Sequence, residues 1–171
     1  MYSIFLVLLS LCVWGQKKYP IPPTSENRLF YIQHSEGINT FIYDVNLSGG
    51  KINHLNPILI QRINYESMGE IEPLSITQKK LAYGIKSQKI NDNKYAFTLA
   101  AYKPQILYLV KKASSYRVET VVNNKKISVD KLYVQTKVNN VGITPKVNHI
   151  VFYGTEIETG KSVIEKILIK D

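Results

Sequence analysis

The amino-acid sequence predicts a mainly β domain, an antiparallel β-sandwich or partly open barrel of about nine strands with one covering α-helix. Three observations carry that prediction. From Arg28 onward the apolar residues recur mostly at period two, the repeat of a half-buried strand. Turn chemistry in Ser48-Gly49-Gly50-Lys51, Asn123-Asn124 and Glu158-Thr159-Gly160 separates those runs at hairpin positions. A single stretch, residues 73–83, reads as a helix.

Residues 28–35 and 39–46 make the first hairpin, turning at Glu36-Gly37, and the two glycines of Ser48-Gly49-Gly50-Lys51 supply the next turn. Residues 57–65 follow as a third strand. The helix is predicted from its ends. Pro73 suits the first helical position, Glu72 lies favourably beside the positive end of the dipole, and Gly84 can close the helix in the left-handed conformation. Lys79 and Lys80 sit near the C-terminus, where cations are favoured.

Alternation is clearest over residues 95–101, with Tyr95, Phe97, Leu99 and Ala101 on one face and Ala96, Thr98 and Ala100 on the other. The second face is small, so either the helix or a ligand must fill the room beside it. Further strands are expected at residues 105–111, 116–122 and 127–137, the last two turning at Asn123-Asn124, whose residue type tolerates positive φ. Residues 147–156 and 161–170 close the chain as a hairpin around Gly160. Val163, Ile164, Ile167 and Leu168 also fit a helical spacing, but their β-branched content favours a strand.

Residues 1–15 carry no charge and include an apolar run from Ile4 to Leu9. The run is shorter than the roughly 20 apolar residues needed to cross a bilayer, so it reads as a signal peptide cleaved before Gln16, after the small residues Val13 and Gly15. Cys12 would suit a lipoprotein, but Leu11 stands where that signal wants a small residue. Cleavage before Gln16 leaves no cysteine and no disulfide. Pro20, Pro22 and Pro23 make residues 16–27 an extended linker, and residues 28–171 a single β-rich domain. The expected location is periplasmic or secreted, with no transmembrane segment in the mature chain.

All 22 Lys and Arg and all 13 Asp and Glu lie after Gly15, so the mature chain keeps the formal charge of +9. Outside the cytoplasm, that balance favours an anionic polysaccharide, a lipid headgroup or an acidic protein over nucleic acid. His34, His54 and His149 are far apart without metal-ligand spacing, so neither metal nor cofactor is expected. There is no GxSxG elbow and no Ser-x-x-Lys box of the penicillin-binding type, and Ser48-Gly49-Gly50-Lys51 lacks the full spacing of a phosphate-binding loop and sits between strands, where it reads as a plain turn. Glu156/Glu158 and Glu70/Glu72 are carboxylates two apart, explained by hairpin pairing and helix-start acidity without glycoside chemistry.

The remaining signal is 12 tyrosines, several beside a base. A tyrosine ring stacks on sugars or packs at interfaces, and Lys or Arg adds attraction for anions. The candidate binding residues are Tyr116, Arg117, Lys131, Tyr133, Tyr102 and Lys103, and no catalytic residue is nominated.

Three blocks, Arg28-Leu29-Phe30-Tyr31-Ile32-Gln33, Leu81-Ala82-Tyr83-Gly84-Ile85-Lys86-Ser87 and Glu158-Thr159-Gly160-Lys161, resemble an uncharacterised bacterial exported family, the domain of unknown function 4833. The resemblance covers nearly all of the mature chain and implies a single exported domain, with no activity or catalytic residues to carry over. The expected function is therefore a non-catalytic exported β-domain that binds an anionic envelope component or partner protein through a Tyr/Lys/Arg surface. One alternative is a carrier of a hydrophobic ligand, which predicts a cavity above about 300 Å³. The other is a hydrolase without a recognisable motif.

Overall fold

The computed structural model describes residues 19–137 and 146–169; the predicted signal peptide, its cleavage before Gln16, and Cys12 lie outside the described residues. The first strands are β1 (Arg28–His34), β2 (Thr40–Val45), β3 (Leu47–Ser48), β4 (Lys51–Ile52), β5 (Ile58–Asn64) and β6 (Glu70–Pro73). A short helix, α1 (Ile76–Gln78), runs on as a π-helical turn, Lys79–Tyr83. Then come β7 (Ile85–Asn91), β8 (Lys94–Leu99), β9 (Tyr102–Lys112), β10 (Ser115–Val122), β11 (Lys125–Thr136), β12 (Val147–Glu156) and β13 (Ser162–Leu168).

Nine strands form one curled path, β6-β5-β2-β1-β11-β10-β9-β8-β7, the partly open barrel of the sequence expectation. The sheet divides on β11. Its first half pairs with β10, Val118 opposite Val129, and its second half pairs with β1, Tyr31 opposite Lys131. Along the other edge of β11 runs β12, which carries β13. The β1–β11 pairing is parallel, in a sheet whose other described pairings are antiparallel. Hairpins join antiparallel neighbours, whereas β1 and β11 meet only after the intervening chain has built both arms.

The predicted turns are made as expected where side chains permit positive φ. Asn123 and Asn124 adopt φ of 50° and 64°, Gly49 and Gly50 58° and 75°, and Gly160 68°. The closing segment is strand, β13 against β12, rather than helix. Two strands of the path were not expected, β6 and β7. Both lie at ends of the path, and β7, Ile-Lys-Ser-Gln-Lys-Ile-Asn, is exposed along nearly its whole length, so no buried face imprints alternation on it.

Arms β1-β2-β5-β6 and β10-β9-β8-β7 bury a shared core. Phe30 of β1 stacks on Tyr43 of β2, with centroids 4.4 Å apart, and meets Phe97 of β8 at 6.3 Å. Tyr95, Phe97 and Leu99 are buried together, as the alternation predicted. Each such side chain contributes about 1.5–3 kcal/mol by leaving water.

The helix differs from its prediction at both ends. Pro73 ends β6 opposite Gln61, and the helix starts after Ser75. Ser75 Oγ accepts from the Gln78 N–H at 3.2 Å, and Gln78 Oε1 accepts from the Ser75 N–H at 3.0 Å. This reciprocal cap satisfies two donors that Pro73 could not. Gly84 is extended, with φ −66° and ψ 168°, not left-handed. A Cβ there would lie 2.0 Å from the Lys79 carbonyl oxygen, so glycine is required by close backbone approach.

Tyr83 fastens the turn to the sheet. Its ring stacks on Phe41 at 3.5 Å, its hydroxyl bonds His34 Nε2 at 2.8 Å, and its carbonyl accepts from the buried Tyr43 hydroxyl at 2.6 Å. Residues 19–25 form no helix or strand, and Glu26-Asn27 turn the chain into β1, with the Arg28 N–H bonded to the Ser25 carbonyl at 3.1 Å. Tyr19 donates its hydroxyl to the His34 carbonyl at 2.9 Å, and Thr40 Oγ1 donates to the Pro20 carbonyl at 2.7 Å.

Candidate functional site

An open groove of about 610 Å³ lies where the helical turn passes between β5 and the β7-β8 hairpin. Its cations are Lys79 and Lys80 from the turn, Lys86 from β7 and Lys103 from β9, and its lining holds no carboxylate. Its apolar surface comes from Ile58, Ile60, Leu81, Ile85 and Leu99. Ile58 and Leu99 belong to the buried core, so the floor of the groove is the core itself. Thr98 and Ala100, from the small face noted in the sequence, line it too, which leaves room that neither helix nor side chain occupies. Both lysines of the turn line the groove, and the turn itself is π-helical, a form often found at functional sites.

A second groove, of about 630 Å³, is built from three hairpins. Lys51 comes from the β3-β4 hairpin, Lys89 from the β7-β8 hairpin and Lys111 from the β9-β10 hairpin. Asp92 is its one lining carboxylate and pairs with Lys89 at 2.6 Å. The hydrogen bond from Lys89, reinforced by its charge, holds the Asp92 carboxyl below the usual range and raises the Lys89 ammonium above its own. Tyr116 forms part of the wall, with the Lys111 ammonium 5.8 Å from its ring centroid.

The six residues nominated from sequence fall in different places. Lys131 and Tyr133 share the outer face of β11, as their parity requires. Lys131 lies between its cross-strand neighbours Tyr31 and Tyr153, 5.8 and 5.1 Å from their rings, and burial holds its ammonium below the ordinary lysine range. Tyr133 meets Tyr19 edge to face at 6.3 Å. Tyr116 lines the second groove and Lys103 the first, while Tyr102 packs against the core. Arg117 is bound to Glu119 at 2.7 Å.

Sequence reasoning missed the convergence of Lys79, Lys80 and Lys86, and that of Lys51, Lys89 and Lys111. The first group has a local signal, two lysines on a turn followed by a third on the next strand. The second group has none, since only the topology joins residues so far apart in the chain.

The carboxylate pairs have structural partners. Glu72 forms an ion pair with Arg62 and accepts from Asn64 at 3.0 Å, and Glu156 accepts from Thr159 Oγ1 at 2.6 Å. Among the described residues, no three His, Cys, Asp or Glu side chains gather as a metal site. No helix among them is long and apolar enough to cross a membrane.

Residues 30–166 match the family model described as Domain of unknown function (DUF4833). No curated protein and no solved structure matches the chain.

Proposed function

The chain belongs to the DUF4833 family, whose description assigns no activity, and from its own geometry we propose an exported, non-catalytic binding module for an anionic amphiphile. Such a ligand has an apolar chain ending in a carboxylate or phosphate. The observation that carries this reading is the first groove, where four amines and no carboxylate surround aliphatic core side chains. Its volume of about 610 Å³ lies within the usual range of ligand sites, about 300–1,000 Å³.

The chemistry follows from that lining. Ile58, Ile60, Leu81, Ile85 and Leu99 favour a chain that leaves water, at about 25 cal/mol per Å² buried. Each lysine near an anionic head adds about 1 kcal/mol at moderate salt. Amines without a neighbouring carboxylate or imidazole attract and orient an anion, but they supply no acid–base pair for hydrolysis. The uncharged residues 1–15 and the formal charge of +9 support an exported protein with anionic targets.

Titration with laurate, dodecanol and acetate separates the two contributions. Laurate should bind, dodecanol should bind more weakly by about a hundredfold or more, and acetate should give no measurable heat. Lys79→Gln with Lys103→Gln should weaken laurate by about tenfold or more, because both side chains line the groove. Equal affinity for laurate and dodecanol, or laurate binding unchanged in the double variant, would overturn the reading.

A further inference from the structure

The second groove lies outside that reading, and we propose that it is a separate site for a sugar bearing a phosphate or a carboxylate. Three hairpins converge there, each contributing one amine, Lys51, Lys89 and Lys111. The first groove is lined mainly by aliphatic side chains between its lysines, whereas this one, beside Ile52, has Ser48, Asn53, His54 and Asn93, whose hydroxyl, amide and imidazole groups match sugar hydroxyls. Tyr116 adds an aromatic ring to the wall, the usual partner for the apolar face of a pyranose.

The walls are held in place before any ligand arrives. Asn53 Oδ1 accepts from the Leu55 and Asn56 N–H groups at 3.1 and 3.3 Å, which fixes the direction of its amide. The Lys111 N–H bonds the Asn93 carbonyl at 2.9 Å and joins β9 to the β7-β8 turn. Asn91 Oδ1 accepts from the Asn93 N–H at 2.9 Å and shapes that turn from within. Preorganisation of this kind lowers the ordering cost of binding. Asp92 works against an incoming anion, since it engages Lys89 and adds a negative charge to the lining.

These opposed charges give a test whose arms differ in sign. Calorimetry at low ionic strength would use glucose 6-phosphate, glucuronate, glucose and inorganic phosphate as probes. At least one anionic sugar should bind, about tenfold or more tighter than glucose and than inorganic phosphate, and whichever wins identifies the acidic group. Lys51→Gln with Lys111→Gln should weaken it about tenfold, and Tyr116→Leu should erase its advantage over inorganic phosphate. Asp92→Asn should tighten it several-fold. Lys166→Gln, on β13 and outside both groove linings, should change nothing.

Inorganic phosphate binding as tightly as the tighter of the two anionic sugars, or Asp92→Asn weakening that sugar, would overturn the proposal. Because Lys51 and Lys111 do not line the first groove, failure of laurate binding leaves this site standing, and the reverse holds as well.

Discussion

Glu119 sits on the outward side of β10 yet is only 4% exposed, and two cations resolve that burden. Burial alone would raise its pKa, but hydrogen bonds from Lys126 and Arg117 outweigh it and hold the carboxyl below its usual range. The sign follows from linkage. A carboxyl with a lower pKa in the folded than in the unfolded state adds stability above the unfolded value, near 4.5, and loses it as pH falls through the folded value. Glu119→Gln should therefore cost about 1–2 kcal/mol at pH 7 and flatten the fall in stability between about pH 5 and pH 3, read by urea denaturation across pH. An unchanged acid slope would mean that other carboxyls govern that range. The same pair shows what was legible at this scale. Arg117 and Glu119 are two apart on a strand, hence on one face, so the sequence already held the partner of a residue nominated to bind anions.

Between elements, the join from the π-helical turn to β7 sets the shape of the first groove. Gly84 lies there, and a Cβ would press on the Lys79 carbonyl oxygen at 2.0 Å, a backbone atom that cannot rotate away. Gly84→Ala should therefore displace the turn and cost about 1–3 kcal/mol. Gly49→Asn makes the comparison, since φ there is 58° and nothing lies within 4 Å of an added Cβ, so its cost should stay under about 1 kcal/mol. Equal losses in the two variants would mean that the crowding at Gly84 relaxes easily. Sequence reasoning found that a glycine ends the helix but gave the wrong reason, because a left-handed cap and a close backbone approach demand the same residue. It found most strands because one face of each is buried, as for Tyr95, Phe97 and Leu99. It missed β7 because that strand lies at the end of the path and carries polar residues on both faces.

For the whole molecule, topology decides what the net charge of +9 can do. Hairpins β3-β4, β7-β8 and β9-β10 bring Lys51, Lys89 and Lys111 to one recess, and no spacing in the chain announces that meeting. The partly open barrel was legible from period and turns, whereas both grooves depend on how the arms curl about β11. Because the grooves share no lining residue, their ligands should stabilise the fold independently. A ligand at about 100 times its dissociation constant adds about 2.7 kcal/mol to the unfolding free energy, which corresponds to a rise in Tm of about 5–10 °C for a domain of this size. Laurate and an anionic sugar together should then give close to the sum of their separate shifts, measured by calorimetric melting. Raising salt to about 0.5 M should shrink the sugar shift most, since screening weakens its ion contacts while the buried chain of laurate keeps its apolar contribution. A combined shift no larger than the greater single shift would mean that the two ligands compete, and that the grooves act as one site.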